Sequence, residues 1–251
     1  MTTMAIIITM LVLGAILGFI GAGGSGFIIT ILTLVFKVPI HIALGTSLTA
    51  MAFTSLSGAF SHYREGNTSV KAGIIVGLFG AAGSFVGSKI ATLIPTDYMH
   101  FFTAGMLFLS SLLLIIRLFL LKKKTQLETN ERMSALFVLK AAILGIIVGM
   151  LSGTFGIGSA PFIQLGLLTV LGITLGQSVG TTLLVIIPIA IGGGIGFISE
   201  GYLDFVLLLQ VLIGTMLGAY IGAKFTNLVP KVILKTAMIL TPAVSALLLT
   251  L

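Results

Sequence analysis

The sequence predicts an all-α polytopic membrane protein made of two homologous repeats. This fold class rests on an apolar composition, a series of apolar runs, and an internal repeat at a constant offset. Hydrophobic residues make up 57% of the chain and charged residues 8%, whereas a soluble domain carries about a quarter charged residues. The mean hydropathy is +1.26. Because such a chain has too little polar surface for water, we interpret it as an integral membrane protein.

The apolar runs are divided equally by one polar linker. They are residues 4–22, 26–36, 42–61, 72–92 and 98–121, and then 134–156, 160–171, 176–198, 205–226 and 232–250. A membrane-spanning helix needs about 20 apolar residues. The runs 26–36 and 160–171 are too short to span as regular helices, so the sequence predicts about 8–10 membrane segments.

The two halves of the chain repeat each other. Residues 14–116 align with residues 149–251 at an offset of 135 without a gap, and 24 of the 103 positions are identical. Nine of these identities are glycines, so the match lies mainly in backbone shape. We therefore predict a first membrane repeat over 1–121, a polar cytoplasmic linker over 122–133, and a second membrane repeat over 134–251.

Each short run follows a glycine cluster in the matching place of its half. The clusters read GAGGSG at 21–26 and GIGSAP at 156–161. This pattern predicts a broken or re-entrant helix in each repeat, which is tolerated at membrane depth only beside protein or a water-filled cavity. Small residues also permit tight helix packing, so the glycines alone leave that simpler role open.

The distribution of charge indicates how the repeats are oriented. If each half crosses the membrane five times, the loops on one side of the membrane carry a net charge of +8 and those on the other side −1. The positive-inside rule expects this asymmetry for inverted repeats. Four crossings per half would give parallel repeats with a weaker asymmetry, and this alternative stays open. The cations on the positive face are Arg64, Lys71, Arg117, Lys122, Lys123, Lys124, Arg132, Lys140, Lys224, Lys231 and Lys235.

The glycine clusters and two pairs of hydroxyls are candidates for an anion site. The N-terminus of a half-helix offers unpaired N–H groups and a positive dipole end, which bind an anion without a buried cation. The matching Thr and Ser side chains add hydroxyl donors, although a helical hydroxyl often bonds only its own helix. The predicted substrate-binding residues are Gly21, Gly23, Gly24, Ser25, Thr46, Ser47, Gly156, Gly158, Ser159, Gln164, Thr181 and Thr182.

Other polar residues narrow the function. Gln164 lies on the second short run, where a polar group is costly unless it faces protein or water. His62 is the candidate proton-handling residue, and an interfacial polar role is its alternative. All six carboxylates lie in loops or at helix ends, and the chain has no cysteine. The sequence carries no ATP-binding or metalloprotease motif, so we expect no catalytic residue, no metal, no cofactor and no nucleic-acid partner.

The quoted motifs resemble the TauE/SafE sulfite exporter family. GFIGAGGSG, ALGTSL and HYREGN carry the resemblance, and GTFGIGSAP and SVGTTL echo it in the second half. The resemblance implies a permease that moves sulfite or an organosulfonate such as sulfoacetate across the bacterial inner membrane. Ser25 and Thr30 stand where the family often has glycine and proline, and Ser159-Ala160 replaces two glycines. At these positions the chain departs from the family pattern.

Taken together, these features predict a carrier for a small anion that works by alternating access. Its expected partners are the anion, the lipid bilayer and a coupling ion, either a proton or sodium. A passive anion channel remains an alternative, because glycine-lined constrictions suit it equally. A non-transport membrane scaffold is a further alternative, although it has no use for irregular backbone at membrane depth.

Overall fold

The computed structural model describes residues 3–20, 25–116, 134–157, 159–223 and 231–250. These residues form a bundle of α-helices, which confirms the predicted all-α class. The predicted linker 122–133 lies outside the described residues. The helices are α1 (Thr3–Ile20), α2 (Ser25–Leu34), α3 (Ile40–Arg64), α4 (Val70–Leu93), α5 (Thr96–Ile115), α6 (Ala135–Phe155), α7 (Ala160–Thr169), α8 (Leu175–Ser199), α9 (Phe205–Ala223) and α10 (Lys231–Leu249).

The long helices have the length and the surface of membrane spans. Six helices in the described part of the chain, α3, α4, α5, α6, α8 and α9, are long and apolar enough to cross a bilayer. Helix α1 illustrates the lipid-facing surface, because Met4, Ile8, Val12 and Ile16 follow one another at four-residue spacing and are each at least half exposed. Exposed apolar stripes of this kind are stable in lipid and unstable in water. The prediction of a polytopic membrane protein is therefore confirmed.

The two short helices occupy matching positions in the chain. Helices α2 and α7 each have ten residues, and both of their ends differ by the offset of 135. Helix α2 begins halfway along α5, because a Cβ on Gly26 would lie 2.5 Å from the side chain of Leu107. A helix that starts beside the middle of a spanning helix leaves its first turn inside the bundle.

Glycine contacts reveal the directions in which the long helices run. Gly83 and Gly87 on α4 approach residues 146 and 150 on α6, so these two helices run the same way. Gly214 and Gly218 on α9 approach residues 7 and 11 on α1, which are parallel for the same reason. Helices α3 and α8 run in opposite directions, because position 45 lies near 197 and position 58 lies near 183.

These directions bear on the internal repeat. At the offset of 135, α3 corresponds to α8, α4 to α9 and α1 to α6. The equivalent helices α3 and α8 are antiparallel, which is the relation that inverted repeats require. The α4–α6 pair likewise corresponds to the α1–α9 pair, and each pair is parallel and closely packed. The repeat and its orientation stay predictions, and these helix directions agree with them.

The two equivalent helix pairs are packed differently within the bundle. The α4–α6 pair packs tightly on α8, where Gly73 and Gly77 accommodate Leu184 and Pro188. The α1–α9 pair packs much less extensively on α3, the helix equivalent to α8. Among the described residues, the two pairs therefore differ in how extensively they pack, α4–α6 on α8 and α1–α9 on α3.

Candidate functional site

A cavity of about 350 Å³ lies between the two halves of the chain. Its described lining comes from α1, α2, α3, α5, α7, α8, α9 and α10, together with Ile157 just before α7, and includes no residue of α4 or α6. A volume of 300–1,000 Å³ is typical of small-molecule sites. The cavity therefore has room for a small substrate, and the α1–α9 pair forms part of its wall.

The first turn of α2 contributes four consecutive residues to the cavity. Ser25, Gly26, Phe27 and Ile28 all line it, and the first four N–H groups of a helix have no partner within the helix. The Ser25 side chain is buried, and its Oγ has no hydrogen-bond partner in the protein. This turn therefore offers N–H donors, a hydroxyl and the positive end of a helix dipole to an anion.

The first turn of α7 faces the same cavity but offers fewer donors. Ala160, Pro161 and Gln164 line the cavity. Proline has no N–H group, and the N–H of Ile163 donates to the Ser159 carbonyl at 2.9 Å. The Gln164 side chain is buried and supplies both a donor and an acceptor. The two half-helices therefore meet at one cavity, and Pro161 removes one potential N–H donor from α7.

Hydroxyl side chains supply most of the remaining polar lining. Thr182 lines the cavity, but its Oγ1 donates to the Ser178 carbonyl of its own helix at 2.7 Å. The sequence reasoning did not single out the other lining hydroxyls, since Ser and Thr in apolar helices usually bond their own backbone. These residues are Thr54, Ser55, Ser110, Thr215, Thr241 and Ser245. The internal repeat does indicate two of them, because Ser110 and Ser245 are identical at the offset of 135.

Several predicted site residues lie outside the described cavity lining. The Ser47 hydroxyl is 3.0 Å from the Leu44 carbonyl and 3.4 Å from that of Gly156. The Thr181 hydroxyl accepts from the Ser69 N–H at 2.9 Å and donates to the Gln177 carbonyl at 2.7 Å. Thr46, Gly156 and Ser159 are also buried away from the lining. Gly21, Gly23, Gly24 and Gly158 lie outside the described residues.

Ser159 and Gly156 adopt unusual backbone conformations immediately before α7. Ser159 precedes α7 with a φ of 47°, and Gly156 ends α6 with a φ of 65°. Left-handed backbone is uncommon for a residue other than glycine and is strained. The Ser159 Oγ is buried without a partner. The connection between α6 and α7 therefore has left-handed backbone at both of these residues, and its Ile157 lines the cavity.

The described lining of the cavity contains no Lys, Arg, Asp or Glu. His62 is its one titratable residue, and the His62 Nδ1 lies 3.8 Å from the Glu65 carboxylate. Lys89 and Glu200 lie 3.4 Å apart elsewhere, with half-exposed side chains. Among the described residues, no three His, Asp or Glu side chains are grouped so as to hold a metal ion. An anion in this cavity would meet dipoles and hydroxyls rather than fixed charge.

Comparison with known proteins gives the family. The model described as sulfite exporter TauE/SafE matches residues 6–249. The probable membrane transporter protein YdhB of Bacillus subtilis (strain 168) is 63% identical over 246 residues, covering 98% of this chain and 99% of that protein. YjnA of the same organism, also named a probable membrane transporter protein, is 29% identical over 234 residues, covering 89% of this chain and 90% of that protein.

More distant similarity gives the same result. The probable membrane transporter protein ORF9 of Sinorhizobium sp is 26% identical over 227 residues, covering 90% of this chain and 85% of that protein. No solved structure matches this chain significantly. The match to the family model extends over both halves of the chain and all of the cavity helices. This chain is therefore a multi-pass bacterial membrane protein that belongs to the sulfite exporter TauE/SafE family of membrane transporters.

Proposed function

We propose that this chain is a secondary transporter that moves a small sulfur-containing anion across the bacterial inner membrane by alternating access. The anion is sulfite or an organosulfonate such as sulfoacetate, and its movement is coupled to a proton or a sodium ion. One observation carries this proposal. The first turns of both half-helices line one cavity between the halves, and that cavity contains hydroxyls and an amide but no fixed charge among its described residues.

The binding scheme follows from the chemistry of this lining. N–H groups at a helix N-terminus and hydroxyl groups donate hydrogen bonds to an oxyanion in place of its water. Gln164 supports the scheme, because its buried amide lies on the first turns of α7. No lysine or arginine is needed, and a site without one holds the anion weakly enough to release it on the other side of the membrane.

The helix packing supports alternating access. Inverted repeats produce two related states by exchanging the arrangements of their halves. In this conformation the α1–α9 pair lines the cavity, while the equivalent α4–α6 pair lies behind α8. In the opposite state, we expect α4 and α6 to approach the cavity and α1 and α9 to withdraw from it. The predicted inversion is an element of this proposal.

The substrate class rests on the family alone. Its name describes a sulfite exporter, and the similar proteins are named as probable membrane transporters. Sulfite and organosulfonates share a sulfur-centred head with three oxygen acceptors, which suits a site made of hydrogen-bond donors. The volume of about 350 Å³ accommodates either of them.

Flux into proteoliposomes tests the proposal directly. Vesicles would be loaded with sulfite, thiosulfate, sulfoacetate, taurine or sulfate in turn, with and without imposed pH and sodium gradients. Saturable movement of one sulfur anion that responds to a gradient would establish a coupled carrier. Fast movement that ignores both gradients would favour a passive channel, and no movement of any of these anions would contradict the proposal.

A matched pair of variants links the flux to the cavity. Gln164→Leu removes a buried amide from the cavity lining. Gln210→Leu removes an equally buried amide on α9, outside the described lining of this cavity. We expect weaker anion binding only in Gln164→Leu. Equal effects of the two substitutions would contradict anion binding in this cavity.

A further inference from the structure

We propose that Ser245 on α10, positioned by Thr30 on α2, donates a hydrogen bond to an oxygen atom of the transported anion and thereby helps to select it. This assignment rests on the proposed function and deepens it by adding a residue that the sequence motifs did not indicate. Ser245 lies in the last helix, far from either glycine cluster in the chain. Its role follows from three features of the structure.

The first feature is a hydroxyl without a partner. Among the described residues, the cavity side chains that have a buried polar atom and no hydrogen-bond partner are Ser25, His62 and Ser245. Ser245 is fully buried and Ser25 nearly so. An unpaired buried hydroxyl is unfavourable, because it has lost water and gained no partner. A bound oxyanion would satisfy both serine hydroxyls.

The second feature is that three threonine hydroxyls of the lining already donate within their own helices. Thr182, Thr215 and Thr241 line the cavity, and each donates its proton to a carbonyl four residues earlier in its own helix, at 2.6–2.7 Å. A hydroxyl has only one proton to donate. The serine hydroxyls at 25 and 245 therefore remain as donors that an anion can use without breaking a protein hydrogen bond.

The third feature is a contact that holds α10 beside the half-helix α2. The Thr30 hydroxyl donates to the Gly26 carbonyl at 2.9 Å and also lies 3.4 Å from the Ser245 carbonyl. Gly26 belongs to the first turn of α2, which lines the cavity. The single Thr30 proton goes to the Gly26 carbonyl, and the 3.4 Å approach places the Ser245 backbone against α2. This contact holds the backbone at Ser245 beside α2, and Thr30 is a positioning residue.

The internal repeat gives independent support to the position. Ser110 on α5 is the equivalent of Ser245, is also buried, and also lines the cavity. Helices α5 and α10 pack together, and the Ser111 hydroxyl donates to the Ile239 carbonyl at 2.9 Å. A serine at the same register in both helices would give the anion a donor from each repeat.

The decisive experiment compares two buried serines that differ only in location. Ser245→Ala removes a cavity hydroxyl, and Ser84→Ala removes an equally buried and unpaired hydroxyl from α4, outside the described cavity lining. The KM of transport in proteoliposomes would be measured for whichever anion of the panel the parent protein moves. We expect Ser245→Ala to raise KM about tenfold, as loss of one hydrogen bond to a charged group does. Ser84→Ala should leave KM unchanged.

Thermal unfolding in detergent provides a second readout that does not depend on transport. Both serine variants should be at least as stable as the parent protein without anion, since each loses an unsatisfied polar group. Added anion stabilises the folded state by RT ln(1 + L/Kd) at a free anion concentration L, so weaker binding gives less stabilisation at the same anion concentration. The stabilisation by the transported anion should therefore shrink in Ser245→Ala and persist in Ser84→Ala.

Variants at Thr30 distinguish a role in positioning Ser245 from a role in stabilising the fold alone. Thr30→Val removes the hydroxyl that contacts the Gly26 and Ser245 carbonyls, and Thr30→Ser retains it. We expect a higher KM with little change in maximal rate for Thr30→Val, and recovery of the parental KM for Thr30→Ser. A purely structural role would instead lower the amount of folded protein in both variants.

The outcomes distinguish this inference from the proposed function. If the parent protein moves a sulfur anion and Ser245→Ala has a parental KM and a parental anion-induced stabilisation, the role of Ser245 is refuted and the transporter stands. If Ser84→Ala shows the same defect as Ser245→Ala, the role of Ser245 is also refuted. If the parent protein neither moves nor binds any anion of the panel, the proposed function fails and this assignment fails with it.

Discussion

Adding one methyl group between α1 and α9 should destabilise the protein, and the structure sets the size of the effect. A Cβ on Gly214 would lie 2.7 Å from the Ile7 carbonyl oxygen and 3.0 Å from the Leu11 nitrogen, whereas ordinary contact begins at 3.4 Å. These neighbours are backbone atoms, which cannot rotate away. Gly214→Ala must therefore push the two helices apart by several tenths of an ångström along a close-packed interface.

The matched control for this substitution is Gly105→Ala. Gly105 is exposed on α5, and a Cβ there meets nothing within 4 Å. Both variants gain the helix propensity of alanine, about 1 kcal/mol, so the difference between them isolates the overpacking term. That term is about 1–3 kcal/mol, which corresponds to a difference in melting temperature of about 2–12 °C for a domain of this size.

Thermal unfolding of the purified protein in detergent would measure the difference. Both variants would be prepared in the same detergent and compared by the same probe, with the parent protein alongside. Equal melting temperatures for Gly214→Ala and Gly105→Ala would refute the reasoning, because the α1–α9 interface would then have room for the methyl group.

Other substitutions give separate tests of the structure. Thr181→Val removes the acceptor of the Ser69 N–H and should cost about 1–3 kcal/mol of stability, seen as a lower melting temperature with an unchanged KM. Lys89→Met should change stability by less than about 1 kcal/mol, and high salt should abolish even that difference, because the pair with Glu200 is half exposed. His62→Gln should remove the response of flux to an imposed pH gradient and preserve anion exchange without one, since His62 is the titratable residue of the described cavity lining.

The sequence predicted the helices well because membrane insertion constrains them strongly. Apolar runs of about 20 residues have few alternatives in a bilayer, and each of the long helices lies on its predicted run. The short helix α7 begins at residue 160, as predicted, and α2 begins at Ser25 rather than at residue 26. The glycine clusters identified these two elements, because they interrupt otherwise continuous apolar segments.

The polar lining of the cavity was harder to predict from the chain. Thr181 and Thr182 are adjacent, but a helix turns about 100° per residue, so only Thr182 reaches the cavity while Thr181 bonds Ser69. The inward face of each helix depends on contacts between distant segments, such as the 215 residues that separate Thr30 from Ser245. Contacts of this kind cannot be predicted from individual residues. The internal repeat indicated only one pair of lining residues, because it aligns Ser110 with Ser245.

A cavity wall without a fixed charge also has an electrical consequence. A monovalent anion bound there keeps its whole charge, because no described lysine or arginine of the lining neutralises it. Each translocation by the proposed carrier would then be electrogenic unless a cation accompanies the anion. A membrane voltage of 100 mV, negative inside, contributes about 2.3 kcal/mol per charge. If no cation is co-transported, that energy favours the outside by about 50-fold and drives net export of the anion. Symport with one proton or sodium ion would cancel the charge, so a potassium diffusion potential across proteoliposomes distinguishes the two cases by whether the flux depends on voltage.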